Sequence, residues 1–588
     1  MSTKHFVNDP TKLVLDSLRS LTLTNPSLAF DSQHKIVYLR HSALSKPQVS
    51  IISGGGSGHE PAYAGYVGRG FLSGSVAGTI FASPSAEQVY RAIVDRVDNS
   101  KGVIVVTMNY TGDVLNFGLA VERAKAKGVK AELVVMADDV GVGRKRGGKV
   151  GRRGIAGGIL TLKIACALAA KGGSFDDIIK LARQVSANTV SLGASLERVH
   201  VPGRAPPDPN SVEALGSNEI ELGMGIHNEA GSTRVTLTLD KLITRMLSEL
   251  LDMTDTDRAF LKVDSTDEVV LVVNNLGGVS ILEMGAIVAE AASQLEKDYG
   301  LKPVRVYQGN FITSLNGLGF SLSLCKLEDT GLGKTNSMLG LLDTDTEVTA
   351  WPGHVRAETW SDRAEDAQEE MLAEEKPKPS GLKIDPIAFK KVLSSGLHKV
   401  IAAEPEVTKY DTIVGDGDCG IGLKRGAEAI LEMLDKTQLS DDALLTMWQI
   451  IPVVENSMDG TSGALYAIFL NALAHGLRIQ DTGKETAVTP QIWAAALKTS
   501  LTSLGKYTPA QPGDRTLMDA LYPYIQTFSE TGDLKKAAVA GRKGADSTQG
   551  MRASLGRTVY VGGEDWQKIP DPGAYGLAEF LEGLADSN

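Results

Sequence analysis

The order of apolar and polar residues along this 588-residue chain changes character near its middle. Up to about residue 345, short β-rich runs alternate with amphipathic stretches of helical period, which is typical of parallel βαβ units. The sequence therefore predicts an α/β architecture here, and a proline-rich break over residues 202–209 predicts a seam between two lobes near residue 205. The clearest predicted strands are residues 49–52, 103–107, 133–136, 269–273 and 304–307.

The second half of the chain has a helical pattern almost throughout. Apolar periodicity fades over residues 346–385, where Pro377 and Pro379 interrupt regular structure, so we predict a linker there. Helical patterns then follow one another, as in residues 463–475 and 492–504, without convincing strand alternation. The predicted fold class is multidomain: an α/β domain over 1–345, the linker over 346–385, and an all-helical domain over 386–588.

Net charge, cysteine spacing and the lengths of apolar runs limit the classes of protein to which this chain could belong. A net charge of −11 argues against nucleic acid as a partner, because such proteins need a cationic surface. The basic stretch 144–153 is interpreted as a glycine-rich surface loop with solvated arginines. Cys166, Cys325 and Cys419 are too scattered for a disulfide framework, and no leader-like segment or membrane-length apolar run is evident. We therefore expect a cytoplasmic protein without a membrane partner.

Three carboxylates form the most informative cluster of the chain. Asp411, Asp416 and Asp418 lie within eight residues on a glycine-containing segment. Such close like charges repel one another unless a cation neutralises them, and hard oxygen ligands suit Mg²⁺, which usually bridges substrate phosphates. A nucleotide site is one interpretation, and a solvated Asp-Gly turn is the other. An EF-hand is excluded because Ile413 and Gly415 occupy its third and fifth positions.

Two clusters follow predicted strands of the first half. The run Ser-Gly-Gly-Gly-Ser-Gly-His-Glu-Pro over residues 53–61 would let a polar ligand approach the backbone, with His59 projecting into the same space. A structural glycine turn is the alternative, and a dinucleotide fingerprint is disfavoured because His59 occupies the sixth position from Gly54. In Asn-Tyr-Thr-Gly-Asp, Asp113 could accept a proton from a hydroxyl or could cap a helix.

A third cluster, residues 223–229, places His227 between glycines and a carboxylate. Most isolated histidines are ordinary surface or core residues, but a neutral imidazole in a glycine-lined pocket can add to a carbonyl carbon. Residues 331–335 imitate a phosphate-binding P-loop, but Glu328 stands where its first glycine is required. The sequence therefore contains no Walker motif.

Seven motifs occur in order, and with them the chain resembles the ATP-dependent dihydroxyacetone kinases over nearly its whole length. Those not yet described are Gly-Asp-Gly-Asp-Cys-Gly, Asp-Gly-Thr-Ser-Gly-Ala, Pro-Gly-Asp-Arg-Thr and Asp-Pro-Gly-Ala, which begin at residues 415, 459, 512 and 571. The resemblance implies a two-lobed substrate domain and a nucleotide domain that is a barrel of eight antiparallel helices. It also implies ATP and two Mg²⁺ ions as cofactors, and a homodimer in which one subunit's nucleotide domain serves the other's substrate.

The resemblance also implies roles in the substrate domain. His227 would bind the carbonyl carbon of dihydroxyacetone or glyceraldehyde covalently as a hemiaminal, so that glycerol is excluded. His59 would hydrogen-bond the reacting hydroxyl, and Asp113 would take its proton as the oxygen attacks the γ-phosphate. The family often has a lysine where this chain has Met108, so only a backbone contact is expected there. The substrate-gripping loop would comprise Gly56, Ser57, Gly58 and His59.

In the nucleotide domain, the resemblance assigns Asp411, Asp416 and Asp418 as ligands of the two Mg²⁺ ions. Arg557 is an alternative to Arg552 as the cation beside the phosphates. The remaining implied nucleotide contacts are Cys419, Gly420, Ile421, Gly422, Thr461, Ser462, Gly505, Thr516, Leu517, Arg552, Asp571, Pro572 and Gly573.

The resemblance predicts a kinase that converts ATP and dihydroxyacetone into ADP and dihydroxyacetone phosphate, with D-glyceraldehyde as a second substrate. Two alternatives stay open. One is a lyase that splits FAD into AMP and cyclic FMN at the same metal site, and the other is a non-catalytic carbonyl sensor. The fusion of both domains in one chain and the intact aspartate triad favour the kinase.

Overall fold

The computed structural model of the chain describes residues 3–44, 46–205, 214–352, 355–361, 378–555 and 564–586. Internal contacts divide it into two compact units, Met1–Ala367 and Gln368–Asn588. Arg557 and residues 362–377 of the predicted linker lie outside the described residues. Within those residues, no helix is long and apolar enough to cross a bilayer.

The first lobe is built on a six-stranded sheet of order β1-β2-β4-β3-β5-β6. Its central strands β4, β3, β5 and β6 run parallel, as predicted, whereas β1 and β2 add an antiparallel edge. The strands are β1 Leu28–Asp31, β2 Ile36–Leu39, β3 Ser50–Ser57, β4 Gly74–Ile80, β5 Val103–Met108 and β6 Ala131–Met136.

Helices cover both faces of this sheet. Alternate residues of β5 enter two different cores, with Ile104 and Val106 on one face and Val103 and Val105 on the other, as the two-residue period of a strand requires. Burial on both faces explains why this strand is a continuous apolar run. The helices are α1 Pro10–Thr24, α2 Ala86–Arg91, α3 Thr111–Ala126, α4 Arg144–Gly147, α5 Gly158–Ala170 and α6 Phe175–Ala187.

The second lobe departs from the predicted parallel pattern. Its sheet has the order β11-β10-β12-β7-β8-β9, and only β10 and β11 pair in parallel, through the crossover helix α8. The parallel prediction is wrong here because β12 follows β11 after a short connection and inserts antiparallel between β10 and β7. The strands are β7 Thr189–Ser195, β8 Ile220–Leu222, β9 Thr233–Val235, β10 Val269–Asn275, β11 Arg305–Gly309 and β12 Gly319–Lys326. The helices after β7 in the chain are α7 Leu239–Leu251, α8 Ile281–Tyr299, α9 Met338–Leu342, which packs against α5 of the first lobe, and α10 Ala357–Ser361.

The basic stretch 144–153 connects the two lobes. Arg144 and Arg152 lie 4.1 and 4.4 Å from the ring of Phe260 in the second lobe. Arg144 also donates to the carbonyl oxygens of Thr256 and Ala259 at 3.0 and 2.9 Å. The predicted surface position holds for Arg144, which is exposed. The prediction of simply solvated arginines is wrong, because these side chains tie the lobes together.

The second unit contains eight helices within its described residues. Each helix packs against the next in the chain, and α18 packs against α11. A short parallel pair of strands, β13 Leu382–Lys383 and β14 Thr486–Ala487, was not predicted. The helices are α11 Pro386–Val414, α12 Cys419–Lys436, α13 Ala443–Ser457, α14 Gly460–Gln480, α15 Pro490–Leu504, α16 Met518–Thr531, α17 Leu534–Asp546 and α18 Pro572–Asp586.

Candidate active site

The glycine loop lies at the carboxyl end of β3, and its glycines serve two purposes. A Cβ atom at Gly54, Gly56 or Gly58 would approach neighbouring atoms to 2.2, 2.7 and 2.7 Å, so packing alone requires these three glycines. A Cβ at Gly55 would meet nothing closer than 3.7 Å, and the Asp113 carboxylate would be 3.8 Å away. A Cβ at Gly55 would therefore make only ordinary contacts, beside a predicted catalytic carboxylate.

Several groups predicted to hold substrate already have partners within the protein. The Ser57 hydroxyl donates to the carbonyl oxygen of Gly78 at 3.1 Å, and the Gly58 N–H donates to the Glu60 carboxylate at 2.9 Å. Met108 is buried in the apolar core of the first lobe, beside Gly154. Its side chain therefore offers packing rather than a polar contact.

His59 is held in one tautomer inside the protein. Its Nδ1 lies 2.8 Å from the carbonyl oxygen of Thr313, so Nδ1 carries the hydrogen and Nε2 is left as an acceptor. The ring stacks on Phe81 at 5.2 Å. Burial, reinforced by the nearby His227, lowers the pKa of His59 to about 3. His59 is therefore a neutral acceptor at ordinary pH.

The second predicted histidine meets the first. The His227 ring lies perpendicular to those of His59 and Tyr110, with centroids 4.7 Å apart in both cases. Glu229 accepts hydrogen bonds from Nδ1 and the backbone N–H of His227 at 2.9 and 2.8 Å. Burial opposes the charge of Glu229, but its bonds to His227 prevail and lower its pKa to about 2. A fixed carboxylate on Nδ1 leaves the Nε2 lone pair of His227 available as a nucleophile.

The turn that carries His227 depends on residues that the sequence did not single out. Asn228 has a left-handed φ of 66°, and its side chain donates to and accepts from the backbone of Val199 at 2.9 Å in both directions. A Cβ at Gly225 would lie 2.0 Å from the Glu229 carboxylate and 2.6 Å from the Arg153 guanidinium, so only glycine fits. A positive φ at a residue other than glycine, as at Asn228, often marks a functional turn, but it can be seen only in the structure.

Asp113 belongs to the first turn of α3, whose N-cap is Tyr110, so the capping alternative for Asp113 is wrong. The carboxylate is buried, and burial raises its pKa, while Ser83 and His227 act in the opposite direction. Three buried polar atoms here have no hydrogen-bond partner in the described part of the chain: Nε2 of His59, Oδ1 of Asp113 and the hydroxyl of Tyr63. Because nearly all buried polar atoms are paired in folded proteins, this group indicates a place where a polar ligand supplies the partners.

The three aspartates predicted to bind metal lie close together in the second unit. Carboxylate oxygens of Asp411, Asp416 and Asp418 lie within 4.8 Å of one another between α11 and α12. Asp411 is buried and accepts from the Cys419 N–H at 3.0 Å, whereas the other two aspartates are exposed. Three oxygen donors of this kind, open to solvent on one side, fit a Mg²⁺ ion that keeps some of its waters.

Helix starts differ around this cluster. Asp442 and Asp533 cap α13 and α17 by accepting hydrogen bonds from N–H groups of the first turn. Asp418 and Asp459, which precede α12 and α14, make no such side-chain bond. Asp411 accepts from the Cys419 N–H of α12, but no N-cap side chain binds the other first-turn N–H groups of α12 or those of α14, and phosphate oxygens suit that position.

Other predicted nucleotide contacts are brought together only in part. The Cys419 sulfur lies 3.8 Å from the Ser462 hydroxyl, so the predicted phosphate contacts at the starts of α12 and α14 are neighbours. A Cβ at Gly573 would lie 3.7 Å from Cβ of Leu517, although Leu517 and Gly573 are distant in sequence. Arg552 is exposed, and no contact in the described ranges connects it to the triad. Of the remaining predicted contacts, Thr516 is half-buried, Pro572 is buried, and three are exposed: Ile421, Thr461 and Gly505.

The sequence missed the role of Arg515 within its own motif. This guanidinium is only 1% exposed and donates to the carbonyl oxygens of Trp566 and Ile569, both at 3.0 Å. The carbonyl groups belong to the segment that leads to Asp571, whose side chain accepts from the Ala574 N–H at 2.8 Å. Burial raises the pKa of Asp571 to about 6. Arg515 therefore fixes the segment that leads to Asp571, a carboxylate near enough to Asp411 for the two charges to repel each other.

Comparison with known protein families gives one match in each of the two units. A Dak1 domain model matches residues 19–350, and a DAK2 domain model matches residues 413–586. The chain is 44% identical to a dihydroxyacetone kinase of Pichia angusta, covering 100% of this chain and 99% of that protein. It is 35% identical to a triokinase/FMN cyclase of Mus musculus, with the same coverage.

Solved structures give the same result. The dihydroxyacetone kinase of C. freundii aligns over 100% of both chains with 30% identity and a TM-score of 0.64, in its native form and in complex with AMP-PNP and Mg²⁺. The two units and their sites thus define a two-domain kinase. The chain belongs to the family of ATP-dependent dihydroxyacetone kinases.

Proposed function

We propose that the protein transfers the γ-phosphate of ATP to dihydroxyacetone, and that D-glyceraldehyde is a second substrate. The observation that carries this proposal is the His227 imidazole, fixed by Glu229 and packed beside His59. A nucleophile of this kind selects a carbonyl compound, and the nearby Asp113 provides a base for a hydroxyl group. Relatives named dihydroxyacetone kinase and triokinase support the same substrates.

The proposed capture step uses the Nε2 lone pair of His227. It forms a C–N bond to the carbonyl carbon as the π bond of the carbonyl breaks. The oxygen gains a proton and Nδ1 loses one through its hydrogen bond to Glu229, so the hemiaminal is a neutral, substituted imidazole. Glycerol has no carbonyl group and is excluded on chemical grounds.

The proposed transfer step uses the two remaining polar side chains. The Nε2 atom of His59 accepts a hydrogen bond from the reacting hydroxyl, because the contact of Nδ1 with Thr313 leaves Nε2 without a hydrogen. This hydroxyl has a single hydrogen, so its bond to His59 orients the substrate before transfer. As the oxygen attacks the γ-phosphate, the hydrogen turns from His59 to Asp113, which takes it as a proton. Its raised pKa makes Asp113 a stronger base than an exposed aspartate.

On the nucleotide side, we propose that Asp411, Asp416 and Asp418 hold two Mg²⁺ ions. When bound, these ions would neutralise the charge of the triphosphate. The first-turn N–H groups of α12 and α14 would bind phosphate oxygens. The contacts that join the eight helices in sequence, with α18 against α11, support an antiparallel barrel as the form of this unit.

A coupled assay with ATP, Mg²⁺ and dihydroxyacetone, without any phosphotransferase protein, tests the function. We expect turnover with dihydroxyacetone and none with glycerol. In the wild-type protein, covalent capture should be visible as electron density that joins a small carbonyl compound to His227. The His227→Ala variant should lose this capture and should bind dihydroxyacetone much more weakly. Unchanged affinity in this variant would refute the proposed role of His227, and no turnover by the wild-type protein would refute the kinase.

We also propose a homodimer in which the nucleotide domain of one subunit serves the substrate of the other. Mixing inactive His227→Ala and Asp416→Asn proteins tests this arrangement. Sites formed across subunits would restore about a quarter of wild-type activity after random exchange, because each mixed dimer then contains one intact site. Sites formed within one subunit would restore none. The cytoplasmic location stays a prediction.

A second activity is favoured by one relative, the murine triokinase/FMN cyclase. If the aspartate triad also cleaves FAD, the protein should form cyclic FMN from FAD and Mn²⁺, and Asp416→Asn should abolish this product. The sensor alternative has a structural counterpart in the operon co-activator Dha-DhaQ, with 30% identity and a TM-score of 0.51 over 58% of this chain. Turnover with ATP excludes a purely regulatory role.

A further inference from the structure

Tyr63 lies beside the candidate site without a role in the steps above. Its side chain is 6% exposed, and its hydroxyl is buried with no hydrogen-bond partner in the described part of the chain. Tyr66, three residues later, is a natural comparison because it is also buried. The Tyr66 hydroxyl donates to the carbonyl oxygen of Phe311 at 2.9 Å. Two neighbouring tyrosines therefore share burial but differ in hydrogen bonding.

The position of Tyr63 connects it to the site. A Cβ at Gly55 would lie 3.7 Å from the Tyr63 ring and 3.8 Å from the Asp113 carboxylate, so both side chains approach the same side of Gly55. Oδ1 of Asp113 is likewise buried without a partner. Burial, and then the charge of Asp113, raises the pKa of Tyr63, so the phenol keeps its proton and remains a donor.

A buried donor without an acceptor is costly, and folded proteins rarely keep one. Here the side chains of an unpaired donor and an unpaired acceptor lie on the same side of Gly55, yet they do not bond each other. A ligand with a hydroxylated carbon beside a carbonyl has oxygens that could satisfy both groups. A site built to hydrogen-bond a substrate oxygen also discriminates strongly against analogues that lack it.

We propose that the Tyr63 hydroxyl is a substrate-binding group that donates a hydrogen bond to an oxygen of the captured hydroxycarbonyl compound, beside Asp113. This inference rests on the proposed function, because the ligand is the triose that His227 binds. It adds a specificity-determining residue to that site. The ring of Tyr63 stays in the apolar core of the first lobe, and only the hydroxyl reaches the ligand.

The test compares Tyr63→Phe with Tyr66→Phe in the full-length protein, using thermal unfolding and calorimetric titration with dihydroxyacetone. Tyr63→Phe removes only the unpaired hydroxyl, so the unliganded protein should be at least as stable as the wild type. Its affinity for dihydroxyacetone should fall about tenfold, as expected for one lost hydrogen bond. Tyr66→Phe should show the reverse: lower thermal stability from the broken bond to Phe311, and unchanged affinity.

The outcomes separate the inference from the function on which it rests. Equal affinity of Tyr63→Phe and the wild type would overturn the role of Tyr63 and leave the kinase intact. Loss of thermal stability in Tyr63→Phe comparable to that in Tyr66→Phe would also overturn it, because the hydroxyl would then serve the fold. Failure of the wild-type protein to bind dihydroxyacetone would overturn both proposals.

Discussion

The two candidate sites differ in how far they are closed before any ligand binds. In the first unit, His59, Asp113 and Tyr63 are buried, and each has a polar atom without a partner. In the second unit, Asp416 and Asp418 are exposed in the short connection between α11 and α12. One site is an enclosed set of fixed side chains, and the other is an open set of carboxylates and N–H groups.

The difference follows from what each site must do. The covalent capture proposed for His227 would require a nucleophile held in one tautomer and orientation, and the contact between Glu229 and His227 supplies both. A nucleotide is large and charged, brings its metal ions, and must leave after each turnover. Open carboxylates that keep their waters suit this exchange. The side chains of the candidate site in the first unit are therefore fixed in advance, whereas the carboxylates in the second unit are open to solvent.

The largest expected effect separates the two sites. In Asp416→Asn, loss of a metal-binding carboxylate should lower kcat at least about a hundredfold, since metal ions supply several kcal/mol of charge stabilisation. Dihydroxyacetone affinity should not change, because the capture residues lie in the other unit. Chelation of Mg²⁺ should have the same pattern. Titration calorimetry and the coupled assay measure both properties.

Asp435→Asn is the matched control, because it removes an exposed aspartate of the same unit that pairs with Lys390 instead. It should leave kcat unchanged. If Asp416→Asn weakened dihydroxyacetone binding as strongly as turnover, the two sites would not be separable, and the comparison would fail.

Part of the substrate site could be predicted from the sequence, because β3 and β5 are parallel and neighbouring. The carboxyl ends of such strands meet at one sheet edge, which brings the glycine loop near Asp113. The meeting of His227 with His59 could not be predicted in this way, because the second lobe is mainly antiparallel. Insertion of β12 between β10 and β7 leaves no trace in apolar periodicity.

The candidate metal site of the second unit could be predicted for a different reason. Asp411, Asp416 and Asp418 are close in sequence, so one turn between two helices brings them together whatever the rest of the unit does. Arg515 could not be recognised, since its burial depends on the carbonyl groups of residues about fifty positions away. Tyr63 likewise has no feature in the sequence that distinguishes it from Tyr66.

An intermediate effect is expected from one glycine in each unit. A Cβ at Gly55 has room, and a Cβ at Gly422 meets nothing within 4 Å, so neither alanine variant should lose stability. Each new methyl group would occupy ligand space instead. Gly55→Ala should raise KM for dihydroxyacetone alone, and Gly422→Ala should raise KM for ATP alone, each by about tenfold, or 1.4 kcal/mol. Steady-state kinetics with each substrate varied in turn measures both effects.

Gly420→Ala is the control in the second unit. Its Cβ would lie 2.3 Å from the Thr408 hydroxyl, so this variant should lower the melting temperature. Opposite results, with a stable Gly420→Ala and an unstable Gly422→Ala, would contradict the assignment of Gly422 to ligand space. A change in both KM values from either Gly55→Ala or Gly422→Ala would contradict the separation of the two sites.

The last effect concerns stability in acid, rather than activity, and the enclosed His59. Its pKa is about 3 in the folded protein and 6.5 without perturbation, so between these values the unfolded chain binds one more proton. Stability of the first unit should therefore fall as pH decreases from 6.5 toward 3, by at most about 1.4 kcal/mol per pH unit from this group. The unfolding transition whose midpoint temperature dihydroxyacetone raises should show this slope at pH 6 to 4.5, and His59→Asn should reduce the slope.

His398→Asn is the control, because it removes an exposed histidine of the other unit and should leave the slope unchanged. An undiminished slope in His59→Asn would mean that other groups cause the acid sensitivity, and that enclosure of the substrate site has no cost in acid.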